Sequence, residues 1–278
     1  MEASMDANLQ RRIQRYGWDK AADLYETGWR ESLARVQAEL LELAAAEPGE
    51  QVLDVACGTG LVTFPLAERV GPTGRVFATD ISERMVEALR ARAEAMGHTQ
   101  VEALRADAEA HPMLADASID LVTCALGLMY FADPLQAMRE AARVLKPGGR
   151  AVFAVWGARA NCGWAEIFPI VDARVHSEVC PMFFRLGTGN TLAREVERAG
   201  LRVTVERRIA TTLPYADDAA ALCAAFAGGP VALAYHRFDA EVRDAAHADY
   251  LASIARYRTD QGYRLPGEFV VCAAVRPA

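Results

Sequence analysis

The chain has 278 residues, of which 52% are hydrophobic and 24% charged, a composition that suits a globular protein with a full core, as one large domain or two small ones. Its net charge of −7 disfavours broad phosphate-backbone binding, which needs a basic face. No apolar run approaches the roughly 20 residues of a membrane span, and Met1–Gln14 is polar with no signal-peptide core, so a cytoplasmic location is expected.

The six cysteines form no C-x-x-C pair and no two histidines have metal-helix spacing, so a metal site is not expected and the cysteines read as small buried hydrophobes. Arg11, Arg12 and Arg15, and later Arg202, Arg207 and Arg208, read as solvated faces.

Leu33, Val36, Leu40 and Leu43 at helical spacing predict a helix over Trp18–Ala46, stopped by Pro48-Gly49. Val52–Ala56 reads as the first strand and Leu61–Val70 as the helix after a glycine-rich turn. Arg75–Thr79 is a second strand ending in Asp80, and Ser82 caps a helix with Met85, Val86, Leu89, Ala93 and Met96 on one face. Gln100–Leu104 is a third strand before Asp107, and Ile119–Cys124 a fourth.

Asp133-Pro134-Leu135-Gln136 starts a helix with an N-cap acid, proline at the first position and a capping-box glutamine. Lys146-Pro147-Gly148-Gly149 ends it, and Arg150–Trp156 is a fifth strand. Thr191–Ala199 is a helix, Val203–Ala210 a strand, Asp217–Tyr257 helical with a break at Gly228-Gly229-Pro230, and Gly267–Val275 a final strand. Strands alternating with helices specify an α/β protein with a doubly wound, Rossmann-like sheet, mostly parallel.

The turn that follows Val52-Leu53-Asp54-Val55-Ala56 carries Cys57-Gly58-Thr59-Gly60. A buried strand delivering its backbone into such a turn presents free amides to a nucleotide-like ligand. A dinucleotide site wants a third glycine at the position held by Thr63. The other reading, S-adenosylmethionine, wants acids at successive strand ends, for the ligand's ammonium, its ribose hydroxyls and its adenine amine. Asp54, Asp80 and Asp107 stand in that order, with Ile81 placed to pack on adenine.

These residues resemble the class I S-adenosylmethionine-dependent methyltransferases, especially their UbiE/COQ5-like branch. The likeness is carried by Leu53-Asp54-Val55-Ala56-Cys57-Gly58-Thr59-Gly60, by Ala78-Thr79-Asp80-Ile81-Ser82 with Met85, and by Ala106-Asp107-Ala108-Glu109. Asp116-Ala117-Ser118-Ile119-Asp120 and Val144-Leu145-Lys146-Pro147-Gly148-Gly149 continue it, so that it covers about residues 48–156. Members often have glycine where this chain has Ala56, and usually Leu-Pro-Phe where it has His111-Pro112-Met113.

The resemblance implies a seven-stranded sheet with an antiparallel last strand, and one methyltransferase domain over 1–278. Within it, 1–47 is an N-terminal helical cover, 48–156 the cofactor-binding core, and 157–278 a half with lid insertions at about 158–190 and 214–264. It implies S-adenosyl-L-methionine as cofactor, held by Asp54, Ala56, Gly58 and Gly60, by Asp80, Ile81 and Met85, and by Asp107, Ala108, Cys124 and Tyr25.

Methyl transfer from a sulfonium needs mainly alignment and exclusion of water, and a base only where the acceptor must lose a proton. Tyr130 and His111 are the catalytic candidates, against the plainer readings of a core tyrosine and a structural histidine. His98, in a turn, reads as exposed, and His176, His236 and His247 fall in the lid blocks. Tyr16, Trp18, Tyr25 and Trp29 either face the sulfonium or pack the first helix.

The expected acceptor is a small, partly apolar molecule: a quinone-ring carbon, or an oxygen or nitrogen of a natural product. Neither nucleic acid nor a membrane span is expected. A protein of this fold that binds the cofactor without methyl transfer is the alternative, and an NAD-dependent oxidoreductase a more distant one.

Overall fold

The computed structural model describes residues 7–175, 180 and 182–278. Helix α1 (Ala7–Ala44) precedes β1 (Gln51–Val55), α2 (Thr63–Val70), β2 (Arg75–Asp80), α3 (Glu83–Met96), β3 (Val101–Arg105) and β4 (Ile119–Ala125). Then come α4 (Pro134–Val144), β5 (Leu145–Trp156), α5 (Ile167–Val175), α6 (Thr191–Arg198) and β6 (Arg202–Tyr215). The chain ends with the short α7 (Asp218–Leu222) and α8 (Ala232–Tyr235), then α9 (Ala240–Ile254), β7 (Arg258–Thr259) and β8 (Gly262–Val275).

The strand order is β3-β2-β1-β4-β5-β8-β6, with β7 pairing only to β8. Strands β1 to β5 are parallel to one another. Strand β8 runs antiparallel between β5 and β6. The expected sheet of seven strands with a reversed last strand is present, and the two-residue β7 makes an eighth.

The central strands are buried on both faces: Val52 and Leu53 of β1 and Leu121 and Val122 of β4 see no solvent. That is why they read as continuous apolar runs rather than alternating ones. Two predicted caps form as expected. The Ser82 hydroxyl accepts from the Met85 amide at 3.1 Å, and the Asp133 carboxylate from the Gln136 amide at 2.9 Å. No helix among the described residues is long and apolar enough to cross a membrane.

Four elements are longer than their periodicity predicts. Helix α1 begins at Ala7, eleven positions before the expected Trp18. Strand β5 begins at Leu145, so that Lys146-Pro147-Gly148-Gly149 lies within its run, with Gly148 at φ +79. Strands β6 and β8 continue as a two-stranded arm out to Tyr215↔Tyr263, whereas β5 leaves β8 at Trp156↔Phe269. This arm projects past the carboxyl edge of the parallel strands. The blocks after β5 and after β6 fold back from it, with α5 against α9, and α8 and the π-helical turn Cys223–Ala227 against α1.

The segment before α6 packs against the end of β5 at Gly187. A Cβ there would stand 1.8 Å from the Trp156 carbonyl oxygen and 2.7 Å from the Gly157 Cα, both backbone atoms. At Gly189 a Cβ meets nothing within 4 Å, although φ is +60. Gly187→Ala is expected to destabilise the chain by about 3 kcal/mol, and Gly189→Ala by about 1 kcal/mol. Equal losses for the two in urea titration would contradict the close approach.

Candidate active site

At the carboxyl ends of β1, β2 and β4, where the strand order reverses between β1 and β4, a cleft of about 750 Å³ opens. Such switch points leave a crevice between diverging connections. The turn after β1 enters it through Ala56 and Gly58, both at φ +54. A left-handed residue with a Cβ costs about 1–2 kcal/mol, and the turn after β4 has a second one, Leu126 at φ +61. Between them, Gly127 lies so close to Ala56 that an added Cβ would be 2.5 Å from the Ala56 Cβ.

Asp80 ends β2 on the cleft wall and is 8% exposed. Its Oδ2 accepts from the Gly58 amide at 3.0 Å and its Oδ1 from the Ser82 amide at 2.9 Å. Burial raises its pKa to about 6 despite those amides. Each oxygen keeps a second lone pair for a donor in the cleft. Ile81 and Met85 line the wall beside it, and Asp107 and Ala108 lie on the wall contributed by the loop after β3.

Asp54, Gly60 and Cys124 lie behind the wall. Asp54 is 1% exposed, its oxygens taken by the hydroxyls of Thr63 at 2.6 Å and Thr123 at 2.8 Å, and burial raises its pKa to about 6. It anchors the glycine turn from beneath instead of facing a ligand. Gly60, at φ +98, sits where a Cβ would meet the Phe64 ring at 2.5 Å. Cys124 is 1% exposed and burial pushes its thiol up to about 12; the next residues, Ala125, Leu126 and Gly127, reach the cleft in its place.

The second wall is helix α1. Arg11, Gln14, Trp18 and Tyr25 fall three, four and seven apart, on one helical face, and all four line the cleft. Arg11 is therefore not a solvated arginine: its guanidinium forms an ion pair with Asp107, Nε to Oδ2 2.8 Å, and donates to Glu109. Gln10 donates to the carbonyls of Tyr130 and Phe131 at 3.3 and 3.2 Å. Asp19 accepts from the Ser82 hydroxyl at 2.7 Å, and Glu26 bonds Arg92 and the Thr59 hydroxyl.

Sequence reading gave no site role to Arg11 or Gln14, and the signal that could have found them is the polar and aromatic stripe on α1, which no apolar pattern explains. Tyr16 is exposed, and Trp29 packs edge-on to Trp156 at 5.8 Å.

Tyr130 lines the cleft and, with Trp29, a smaller adjoining cavity, and burial drives its phenol well above its usual value. His111 does not reach the cleft. It is 1% exposed under the loop, with its amide on Glu140 at 2.7 Å and its Nε2 3.3 Å from the Thr79 hydroxyl. Burial lowers its pKa.

His98 is half-buried, stacked on Phe64 at 5.6 Å. His236 bonds the Ala232 carbonyl and His247 the Tyr235 hydroxyl, away from the cleft, and His176 lies outside the described residues. The cysteines among the described residues are free, and no group of metal-binding side chains occurs there.

Residues 28–162 match the model of the ubiE/COQ5 methyltransferase family. The nocamycin O-methyltransferase of Saccharothrix syringae is 39% identical over 133 residues, 48% of this chain and 47% of that protein. The demethylmenaquinone methyltransferase of Lactococcus lactis subsp. lactis (strain IL1403) is 43% identical over 104 residues, 37% of this chain and 41% of its own. The chain spans about half the length of the curated relatives it matches.

Among solved structures, the YcgJ protein of Bacillus subtilis superposes with a TM-score of 0.62 at 18% identity, covering 88% of this chain and 99% of that one. The [4+2]-cyclase SpnF gives 0.64 at 17% identity, with 97% and 96% covered. At these identities the likeness is one of fold, a Rossmann-like sheet.

The buried acids set a pH dependence of stability. Asp80 keeps its proton up to about pH 6 when folded, whereas an unfolded aspartate releases it near pH 3.9. Stability linked to this proton is full below the unfolded value and is lost as pH rises through the folded one. The stability of the wild type relative to Asp80→Asn is expected to fall by roughly 3 kcal/mol between pH 4 and 6. Urea titrations giving a constant difference across that range would exclude it.

Proposed function

We propose that this chain, whose residues 28–162 match the model of the ubiE/COQ5 methyltransferase family, binds S-adenosyl-L-methionine in the cleft and transfers its methyl group to a small, partly apolar molecule. The observation that carries the reading is the Asp80 carboxylate. It is held by two backbone amides on a wall with Ile81 and Met85 beside it, and Asp107 lies farther along the same wall.

In this reading Asp80 accepts from the ribose hydroxyls, Ile81 and Met85 pack on adenine, and Asp107 with Ala108 meets its amine. Ala56 and Gly58 bring bare backbone to the ligand, and Asp54 holds the turn that carries them. Trp18 and Tyr25 present ring faces suited to a cationic centre. When bound, the cofactor supplies a methyl group on a positively charged sulfur, a centre ready for in-line displacement.

What remains for the protein is alignment and exclusion of water. Helix α1 does the second, closing the cleft with Arg11, Gln14, Trp18 and Tyr25. No histidine is among the described residues of the cleft walls, and the buried Tyr130 phenol orients instead of accepting a proton. The names of the curated relatives support a carbon of a quinone or an oxygen of a natural product as acceptor.

Asp80→Ala is expected to weaken S-adenosylmethionine binding by about 100-fold, the loss of two charge-assisted hydrogen bonds, with an unchanged circular dichroism spectrum. Undiminished affinity by calorimetry would remove the ribose assignment. Because Asp80 must be ionised to accept both hydroxyls, wild-type affinity is expected to fall by about tenfold per pH unit below pH 6. Activity is tested by incubating quinols, phenols and amines with methyl-labelled cofactor and following the label into product. Label retained by the cofactor with every acceptor class would count against transfer.

A further inference from the structure

One ion pair joins helix α1 to the cleft wall contributed by the loop after β3. Arg11 and Asp107 both line the cleft, and the Arg11 Nε lies 2.8 Å from the Asp107 Oδ2. Their side chains are 30% and 36% exposed, and an ion pair that open contributes little to stability. What it fixes is direction. The Asp107 Oδ1 accepts from the Glu109 amide at 3.0 Å, an anchor within its own loop. Arg11 holds the other oxygen from a different element.

The guanidinium is itself held in place. Its Nη2 donates to the Glu109 Oε2, and its Nη1 is 3.4 Å from the Asn8 Oδ1. Glu109 is 8% exposed, and its Oε1 accepts from the Asp133 amide at the start of α4 at 2.9 Å. A planar fork can meet two carboxylates at once, which a lysine ammonium does less well. Each Asp107 oxygen keeps a further lone pair, so the carboxylate offers the cleft an acceptor of fixed direction.

Such an acceptor separates two kinds of purine. A 6-amino group donates to it. A 6-oxo group sets its own lone pairs against the carboxylate, while the neighbouring guanidinium is already matched by two acids. A mismatch that leaves polar atoms facing each other unpaired is the stronger form of selectivity.

We propose that Arg11 is a positioning residue that sets base specificity: by fixing Asp107 from α1, it makes the cleft accept a 6-aminopurine nucleoside and refuse the 6-oxo one. The proposal rests on the cleft being the cofactor site with Asp107 at the base. The base is then read only while the first turns of α1 are docked, so recognition of the cofactor and closure of its cover are one event.

The probes are S-adenosyl-L-homocysteine and its 6-oxo counterpart, S-inosyl-L-homocysteine, titrated into the full chain by calorimetry. Wild type is expected to prefer the amino form by about 100-fold, the worth of a hydrogen bond to a charged group. Arg11→Met keeps a long side chain without the fork, and is expected to cut that preference to about tenfold. Asp107→Asn, whose carboxamide can donate to a 6-oxo group, is expected to bring the two ligands within about threefold. Gln10→Ala removes the neighbouring tie of α1 to the carbonyls of Tyr130 and Phe131. It is expected to weaken both ligands alike and keep the ratio within about twofold of wild type.

An Arg11→Met ratio equal to that of wild type, with both affinities lowered together, overturns the proposal, because Arg11 then only fastens the helix. So does a Gln10→Ala ratio that collapses as far. Arg11→Lys covers the case in which Arg11→Met does not fold: its ratio is expected to fall at least about threefold, and an unchanged one is equally fatal. Wild type binding both ligands alike, or neither, refutes the base assignment and the proposal with it. A wild-type preference lost in Asp107→Asn but kept in Arg11→Met refutes the role of Arg11 alone.

Discussion

Two aspartates buried side by side beneath one glycine turn are the constraint around which the rest of the cleft is arranged. Asp54 and Asp80 end adjacent parallel strands, and each raises the other's difficulty in holding charge. Burial alone would keep both neutral. What opposes it is local and cheap to build: two threonine hydroxyls on Asp54 and two backbone amides on Asp80. The amide of Gly58 can reach Asp80 only because the turn runs through the left-handed residues Ala56 and Gly58. Strain in the backbone and polarity of the carboxylates are thus one arrangement. A positively charged ligand would relieve the charge part of it.

The walls around that arrangement come from far along the chain. Helix α1 is tied down at several points, through Arg11 to Asp107, Gln10 to the β4–α4 connection and Asp19 to Ser82. Nearly all of these contacts are polar, and exposed ion pairs of this kind contribute little stability each. The C-terminal half of the same helix is held differently, with Leu33, Val36 and Leu40 in the core. One helix therefore has an apolar anchor and a polar, more easily parted end over the cleft.

This division explains what the sequence made legible. Strands β1, β2 and β4, the caps at Ser82 and Asp133 and the aspartate ladder follow from local patterns: apolar runs, turn residues and capping spacing. The first turns of α1 have no apolar stripe because that face meets a cavity instead of a core, and periodicity reports only cores. Asp54 reads as a ligand contact until Thr63 and Thr123, 9 and 69 positions away, take its oxygens. His111 reads as an available base until Glu140 and Thr79 enclose it. The β6–β8 arm ran past its predicted ends because its pairing needs no third strand. In each case the missing information is long-range.

The segment that matches the family, 28–162, contains the glycine turn and the aspartate ladder. Trp18 and Tyr25 precede it, and Trp164 and Pro230 follow it, yet all four close one chamber with Leu126 and Tyr130. The border between kinship and individuality thus runs through the middle of a single cavity. Two chains could share all of the matched segment and still differ in nearly half the rings and apolar side chains that close this chamber. Kinship, for this architecture, is written on one side of the cavity and individuality on the other.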